Sequence, residues 1–291
     1  MPQLIGALRV IVVALAAVFC IASLLGIAAN PVPAWTIVVI VVLLGITAGG
    51  VVLIVRHPHG SFFEPLTILL PGLTVGRLLS TVWLIPAGES APNLSDLVLG
   101  ETGPGIPHFE PLALGLVAAV SFYVLAQARQ SIAERSNLVH FSASDWLVAL
   151  LRTYVGLMFV SHFTGHALAG PIPFGAFVSY FGQVGMPFPA ASVVLAGLIE
   201  ITVCICLAFG LLTRPVAFLG AFYLLFAVGI GGHFSIGYSW AMPGLGWEFP
   251  ALWAFAVVLF GIFGAGPISL DAKFASKKLK RADPLATAPT Y

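Results

Sequence analysis

Long apolar runs alternate with short polar breaks along the whole chain. The runs lie near residues 8–29, 34–55, 66–86, 109–128, 145–169, 190–212, 216–233 and 249–265. Each has about 20 residues, enough for a helix to cross ~30 Å of hydrocarbon. Turn-forming or polar stretches separate them: Asn30-Pro31-Val32-Pro33, Arg56-His57-Pro58-His59-Gly60, a Pro- and Gly-rich loop over 87–108, a polar segment over 129–144, and Thr213-Arg214-Pro215. The pattern predicts an all-α polytopic membrane protein of about eight transmembrane helices. Ser144 or Asp145 is the expected N-cap of the fifth. Residues 170–189 break the rhythm, because prolines bound an inner stretch of about ten residues that is too short to span. Phe174, Phe177 and Phe181 recur there at helical spacing, which suggests a short surface helix or a re-entrant turn.

Composition agrees with the pattern. Of the 291 residues, 59% are hydrophobic and 8% charged, against roughly 25% charged in a soluble domain. Mean hydropathy is +1.06. The first run is longer than a signal-peptide core, which favours a retained helix over a cleaved leader ending near Ala28-Ala29. Charge then orients the spans. With the N-terminus inside, the inner segments hold Arg9, Arg56, Arg129, Arg135, Arg214, Lys273, Lys277, Lys278, Lys280 and Arg281, and the outer segments hold no Lys or Arg. This positive-inside distribution puts both termini in the cytoplasm. The three cysteines form no C-x-x-C pair, and no basic face with interleaved aromatics offers a nucleic-acid surface. Residues 1–140 read as an N-terminal four-helix region, 141–272 as a second four-helix domain, and 273–291 as a basic tail.

The candidate chemistry lies in polar residues that the apolar runs should not contain. Glu200 is the only acidic residue in the interior of a run. A charge near the bilayer centre costs ~2.5–3.5 kcal/mol on insertion scales, so Glu200 should face a partner or a water-filled cavity. Arg77 and Arg152 are the intramembrane cations, at depths that allow either to pair with Glu200 at 1.5 Å of rise per residue. Such a pair is either a structural lock or part of a pocket with one positive charge left over. On a regular helix, Arg152, Gly156, Phe159, His162, Phe163 and His166 share an arc of about 120°. Along the sequence His162, His166, His233, His108 and Glu248 gather toward the outer face. Interfacial histidines satisfied by water or backbone, a proton relay, and metal or haem ligation are the available readings. No spacing marks a metal site, and His57 and His59 read as a solvated basic turn.

The residues also resemble a known family. Leu151-Arg152, Gly156-Leu157-Met158-Phe159, Ser161-His162, Gly185-Met186-Pro187, Gly197-Leu198-Ile199-Glu200, Gly210-Leu211-Leu212-Thr213-Arg214 and Gly264-Ala265-Gly266-Pro267-Ile268-Ser269-Leu270-Asp271 occur in that order over about 146–272. Together they are similar to the DoxX/DoxD family of bacterial membrane proteins. The resemblance implies a four-helix core in a bacterial inner membrane and makes Arg214 and Asp271 family-motif positions. Some members resemble or serve as the small subunit of thiosulfate:quinone oxidoreductase. Two departures stand out: His166 occupies a position that is often lysine, and Thr202-Val203-Cys204 replaces glycines after the glutamate.

Three functional expectations follow. The first is a redox-associated subunit with a quinone or lipid pocket lined by Arg152 and Glu200, and with proton exchange at His162, His166 and His233. No flavin, haem or iron–sulfur motif is visible in the chain, so electrons would come from a partner redox subunit. The second is a non-catalytic accessory or assembly subunit, in which the same polar residues are structural. The third is a small-molecule transporter, which calls for broken helices in matched positions of both halves.

Overall fold

In the computed structural model the described residues are 2–30, 32–57, 62–80, 109–133, 141–241 and 246–282. Among them there are helices and turns and no strand. In chain order the helices are α1 (Pro2–Ala29), α2 (Ala34–Arg56), α3 (Phe63–Ser80), α4 (Phe109–Ala133), α5 (Ala143–Leu157), α6 (Val160–Phe163), a π-helical turn (Thr164–Leu168), α7 (Pro171–Gln183), α8 (Pro189–Phe209), α9 (Thr213–Ile230), α10 (His233–Ile236), α11 (Glu248–Phe263) and α12 (Leu270–Ala282). Six helical stretches are long and apolar enough to cross a bilayer: Pro2–Ala29, Ala34–Arg56, Pro111–Ala133, Ala143–Leu168, Pro189–Phe209 and Thr213–Ile230. The other two expected spans are also helical as far as described. α11 is shorter, at 16 residues. α3 carries Glu64, Thr67, Thr74 and Arg77 with Pro71 inside it.

Several hydroxyls inside the apolar helices are satisfied by the preceding turn. Ser23 donates to Phe19 O (2.7 Å), Thr47 to Leu43 O (3.0 Å), Thr74 to Leu70 O (2.9 Å) and Thr164 to Val160 O (2.8 Å). These bonds to the preceding turn let a polar side chain sit where no water is available. At the start of α5 the cap is Ser142, two residues before the expected Ser144. Asp145 Oδ2 accepts from the Ser142 amide (2.8 Å) and hydroxyl (2.7 Å), while Ser142 Oγ accepts from the Asp145 amide (3.2 Å). The arrangement is the reciprocal logic of a capping box.

The chain forms two compact units, each built from two stretches: residues 1–133 with 158–201, and 134–157 with 202–291. In the first unit α1 packs on α2 and α4, and α3 packs on α2, α4, α6 and the π turn. Phe19 meets Phe109 with ring centroids 5.4 Å apart. In the second unit α9 packs on α11, and α11 also meets α5. Gly220 lets α9 close on Val203 of α8.

Residues 170–189 hold the 13-residue α7, with Pro171 in its first turn, where its missing N–H is harmless. His59, His108 and the whole 87–108 loop with Glu89, Asp96 and Glu101 lie outside the described residues, as do residues 283–291 of the tail. His57 is described, and its Nδ1 lies 3.4 Å from Glu64 Oε1.

Candidate functional site

A polar centre lies in each unit. In the first unit, His166 and Glu200 are both buried, at 8% and 1% exposure. His166 Nδ1 lies 2.7 Å from Glu200 Oε2. With Glu200 ionised its oxygen accepts and His166 Nδ1–H donates. The approach depends on Gly197, one turn before Glu200. A Cβ there would stand 3.1 Å from Ala167 Cβ and 3.3 Å from His166 Cβ. Glycine therefore allows α8 to lie against the π turn closely enough for the carboxylate to reach the ring.

The π turn itself is unusual, because π turns interrupt α-helices rarely and often at functional sites. Its backbone receives donors from α2. Trp35 Nε1 donates to Ala167 O (3.3 Å), and Thr36 Oγ1 donates to Ala169 O (3.1 Å). Phe177 and Phe181 of α7 present T-shaped contacts to the His166 ring, at 4.3 and 6.0 Å between centroids. His162 lies one turn before His166 and is exposed, whereas His166 is buried. Arg77 is half-buried on α3. The centre is thus one buried carboxylate paired with one buried imidazole, with an aromatic wall.

The second unit's centre closes helix ends. Arg152 is fully buried. Its guanidinium donates to the carbonyls of Leu207 and Ala208 at the end of α8, and to Ile268 O (2.9 Å). Thr153 Oγ1 donates to the same Ala208 carbonyl (3.1 Å). Asp271 is the complement of Arg152 at the start of α9. Its Oδ1 accepts from the Leu212 amide (2.7 Å) and its Oδ2 from the Thr213 amide (2.9 Å). A cation at a helix C-terminus and an anion at an N-terminus also complement the helix dipoles. Gly210 between them has φ +66°, and a Cβ there would lie 2.6 Å from Ser269 Cβ and 2.8 Å from the Arg152 guanidinium carbon. Arg214 is exposed, with its guanidinium beside Gly264.

The expected partnership of Arg152 with Glu200 is replaced on both sides: Arg152 takes carbonyls of its own unit, and Glu200 takes His166 of its own. The single arc drawn from Arg152 to His166 assumed a regular helix. The turn at Met158 and Phe159 and the π turn interrupt it. His233 and Glu248 belong to the second unit. His233 is half-buried at the start of α10 with its ring over Gly231. The exposed Glu248 accepts from the Trp240 amide (3.1 Å), and its own amide donates to Tyr238 O (2.9 Å), so it closes a loop. Among the described residues no three His, Cys, Asp or Glu side chains converge.

Sequence reasoning missed Trp35 and Thr36. A tryptophan just after Pro33 reads only as an interfacial aromatic. The spacing of Phe177 and Phe181 was visible, but not their contact with His166.

Comparison with known proteins bears on the same residues. The sequence profile of the DoxX family matches residues 147–233, a stretch that includes Arg152, His162, His166, Glu200, Arg214 and His233. Arg77, Trp35, Thr36, Glu248 and Asp271 lie outside it. The inner membrane protein YphA of Escherichia coli (strain K12) is 34% identical over 107 residues, covering 34% of this chain and 73% of that protein. An uncharacterized protein of Haemophilus influenzae (strain ATCC 51907 / DSM 11121 / KW20 / Rd) is 33% identical over 135 residues, covering 45% of this chain and 93% of that protein. No solved structure matches the chain significantly.

Proposed function

This chain belongs to the DoxX family of integral membrane proteins, and from that premise we propose that it is a redox-associated membrane subunit that holds a quinone headgroup at the His166–Glu200 pair. The observation that carries the reading is the 2.7 Å contact between a buried imidazole and a buried carboxylate, walled by Phe177 and Phe181. Full reduction of a quinone to the quinol takes up two electrons and two protons. An imidazole poised against a carboxylate takes a hydroxyl proton from the quinol, and as imidazolium it returns one to a quinone carbonyl oxygen. Each two-electron conversion moves two protons. His166 Nε2 handles one, and His162, one turn away, handles the other. The two electrons pass to or from a separate redox protein. Arg77 supplies a positive charge that favours the oxygen atoms of the headgroup. Arg152, which the sequence placed in the pocket, acts instead as a helix-end clamp in this reading.

The same reading places the chain in the bacterial inner membrane with both termini in the cytoplasm. Ten of the twelve Lys and Arg residues fall in inner segments under that orientation, in line with the positive-inside rule.

The test is to purify the protein in mild detergent and extract its bound lipids for mass analysis. The expected result is stoichiometric quinone in the wild type and a large loss of it in Glu200→Gln and His166→Asn. Wild-type protein without quinone would sink the proposal. A second reading has its own support in the tie between α8 and the π turn, which Trp35 and Thr36 reinforce from α2. In an accessory subunit the pair would be a polar staple only. Glu200→Gln would then lower the melting temperature while quinone content stayed at the wild-type level.

A further inference from the structure

A groove of about 290 Å³ opens on the first unit between the start of α1 and the end of α4, away from the His166–Glu200 centre. Its lining residues are Leu4, Leu8, Phe122, Leu125, Ala126 and Arg129. All but Arg129 are apolar. Leu4, Phe122 and Leu125 are 51%, 62% and 49% exposed. From Phe122 to Arg129 the wall runs ~10 Å along α4, at 1.5 Å per residue. The single charged residue is at the end of the wall, where α4 approaches its last turn. Arg129 is exposed and, among the described residues, has no hydrogen bond or ion pair within the protein.

An apolar trough on a membrane-crossing helix pair, capped by one guanidinium with no partner among the described residues, has the chemistry of a phospholipid seat. Lipid tails fill apolar surface at hydrocarbon depth, and a guanidinium binds a phosphate through paired N–H donors. We infer that this groove binds an anionic glycerophospholipid, with an acyl chain along Leu4, Leu8, Phe122 and Leu125 and the headgroup phosphate on Arg129. The lipid is anionic because the groove's lining brings one positive charge and, among the described residues, no acid. A zwitterionic lipid carries its own cation to the same place and gains less. The first residues of α1 are thereby tied to the end of α4 through a lipid as well as through their direct packing.

The test is native mass spectrometry of the full chain after partial delipidation, with titration of phosphatidylglycerol and phosphatidylcholine of equal chain length. The wild type is expected to retain phosphatidylglycerol over phosphatidylcholine. Arg129→Gln should reduce that preference about fivefold, the factor that corresponds to ~1 kcal/mol per basic residue at an anionic lipid surface. Leu125→Trp, which fills the trough, should reduce retention of both lipids. Both positions are exposed, so the variants are expected to fold. A thermal melt within about 2 °C of the wild type checks this, a shift that a surface change of a few tenths of a kcal/mol allows. An unchanged lipid preference in Arg129→Gln, or unchanged retention of both lipids in Leu125→Trp, would overturn the inference. Neither result depends on quinone content, so this seat and the quinone reading fail separately.

Discussion

At the scale of single residues, the chain solves the cost of intramembrane charge in two ways. Glu200 is neutralised by a titratable partner, and Arg152 by backbone dipoles. In the proposed function the first is a proton-exchange site and the second a structural clamp. Breaking a buried pair by removing one partner costs ~3–5 kcal/mol, while replacing both partners with apolar groups can be nearly neutral. His166→Phe and Glu200→Leu should therefore each lower stability by more than the double variant does. Thermal melts in detergent that show simple addition of the two effects would remove the coupling. Arg152→Met leaves several buried carbonyls without donors and should cost ~3 kcal/mol or more, since each orphaned buried group costs ~1–3 kcal/mol. Arg152→Lys should recover only part of the loss, because an ammonium cannot span three carbonyls as a planar fork does.

At the scale of elements, the decisive features are a π turn and a tight helix-to-helix corner. The π turn carries His166, is held by Trp35 and Thr36, and faces Gly197 at close range. At the corner, Gly210 is in a left-handed conformation between the Arg152 clamp and the Asp271 cap. Gly210→Ala adds a Cβ where both the backbone conformation and the neighbours oppose it, and should cost ~2–4 kcal/mol. Asp271→Ala removes the acceptor for two amides and should cost ~1–2 kcal/mol, as for loss of other helix caps. Asp271→Asn should lose less, because one side-chain oxygen remains to accept. Equal melting temperatures for Asp271→Ala and the wild type would show that water replaces the cap without loss. This corner gives Gly210, Arg152 and Asp271 a mechanical explanation. Arg214 has only its proximity to Gly264, and nothing further in the structure explains it.

At the scale of the molecule, the chain is a multi-helix membrane protein whose family-matched segment contributes to both compact units. The first unit holds His166 and Glu200 from the matched segment, and Trp35 and Thr36 from α2 outside the match hold the backbone around His166. Helix α2 is thus tied to that centre, and α3 packs on the same π turn. Fusions at the two ends provide the test of orientation. A cytoplasm-dependent fluorescent reporter should be active, and a periplasm-dependent phosphatase silent, at both termini. Opposite behaviour at the two ends would refute the proposed orientation.

Apolar period and length determined the helical class and placed the helices, because a membrane helix satisfies its own backbone and so needs no distant partner to form. The sequence by itself also marked Glu200 and Arg152 as exceptional, since their cost in an apolar run is independent of the fold. It could not assign their partners. Depth along a helix is one coordinate, and pairing requires three. The arc that joined Arg152 to His166 presumed unbroken α geometry, and a two-residue turn followed by one π turn was enough to disrupt it. The tertiary structure alone decided that Glu200 meets His166, that Arg152 closes a helix end, and that Trp35 and Thr36 take part. The first two contacts depend on where glycines such as Gly197 and Gly210 let segments approach, and no local pattern of apolar and polar residues records that approach.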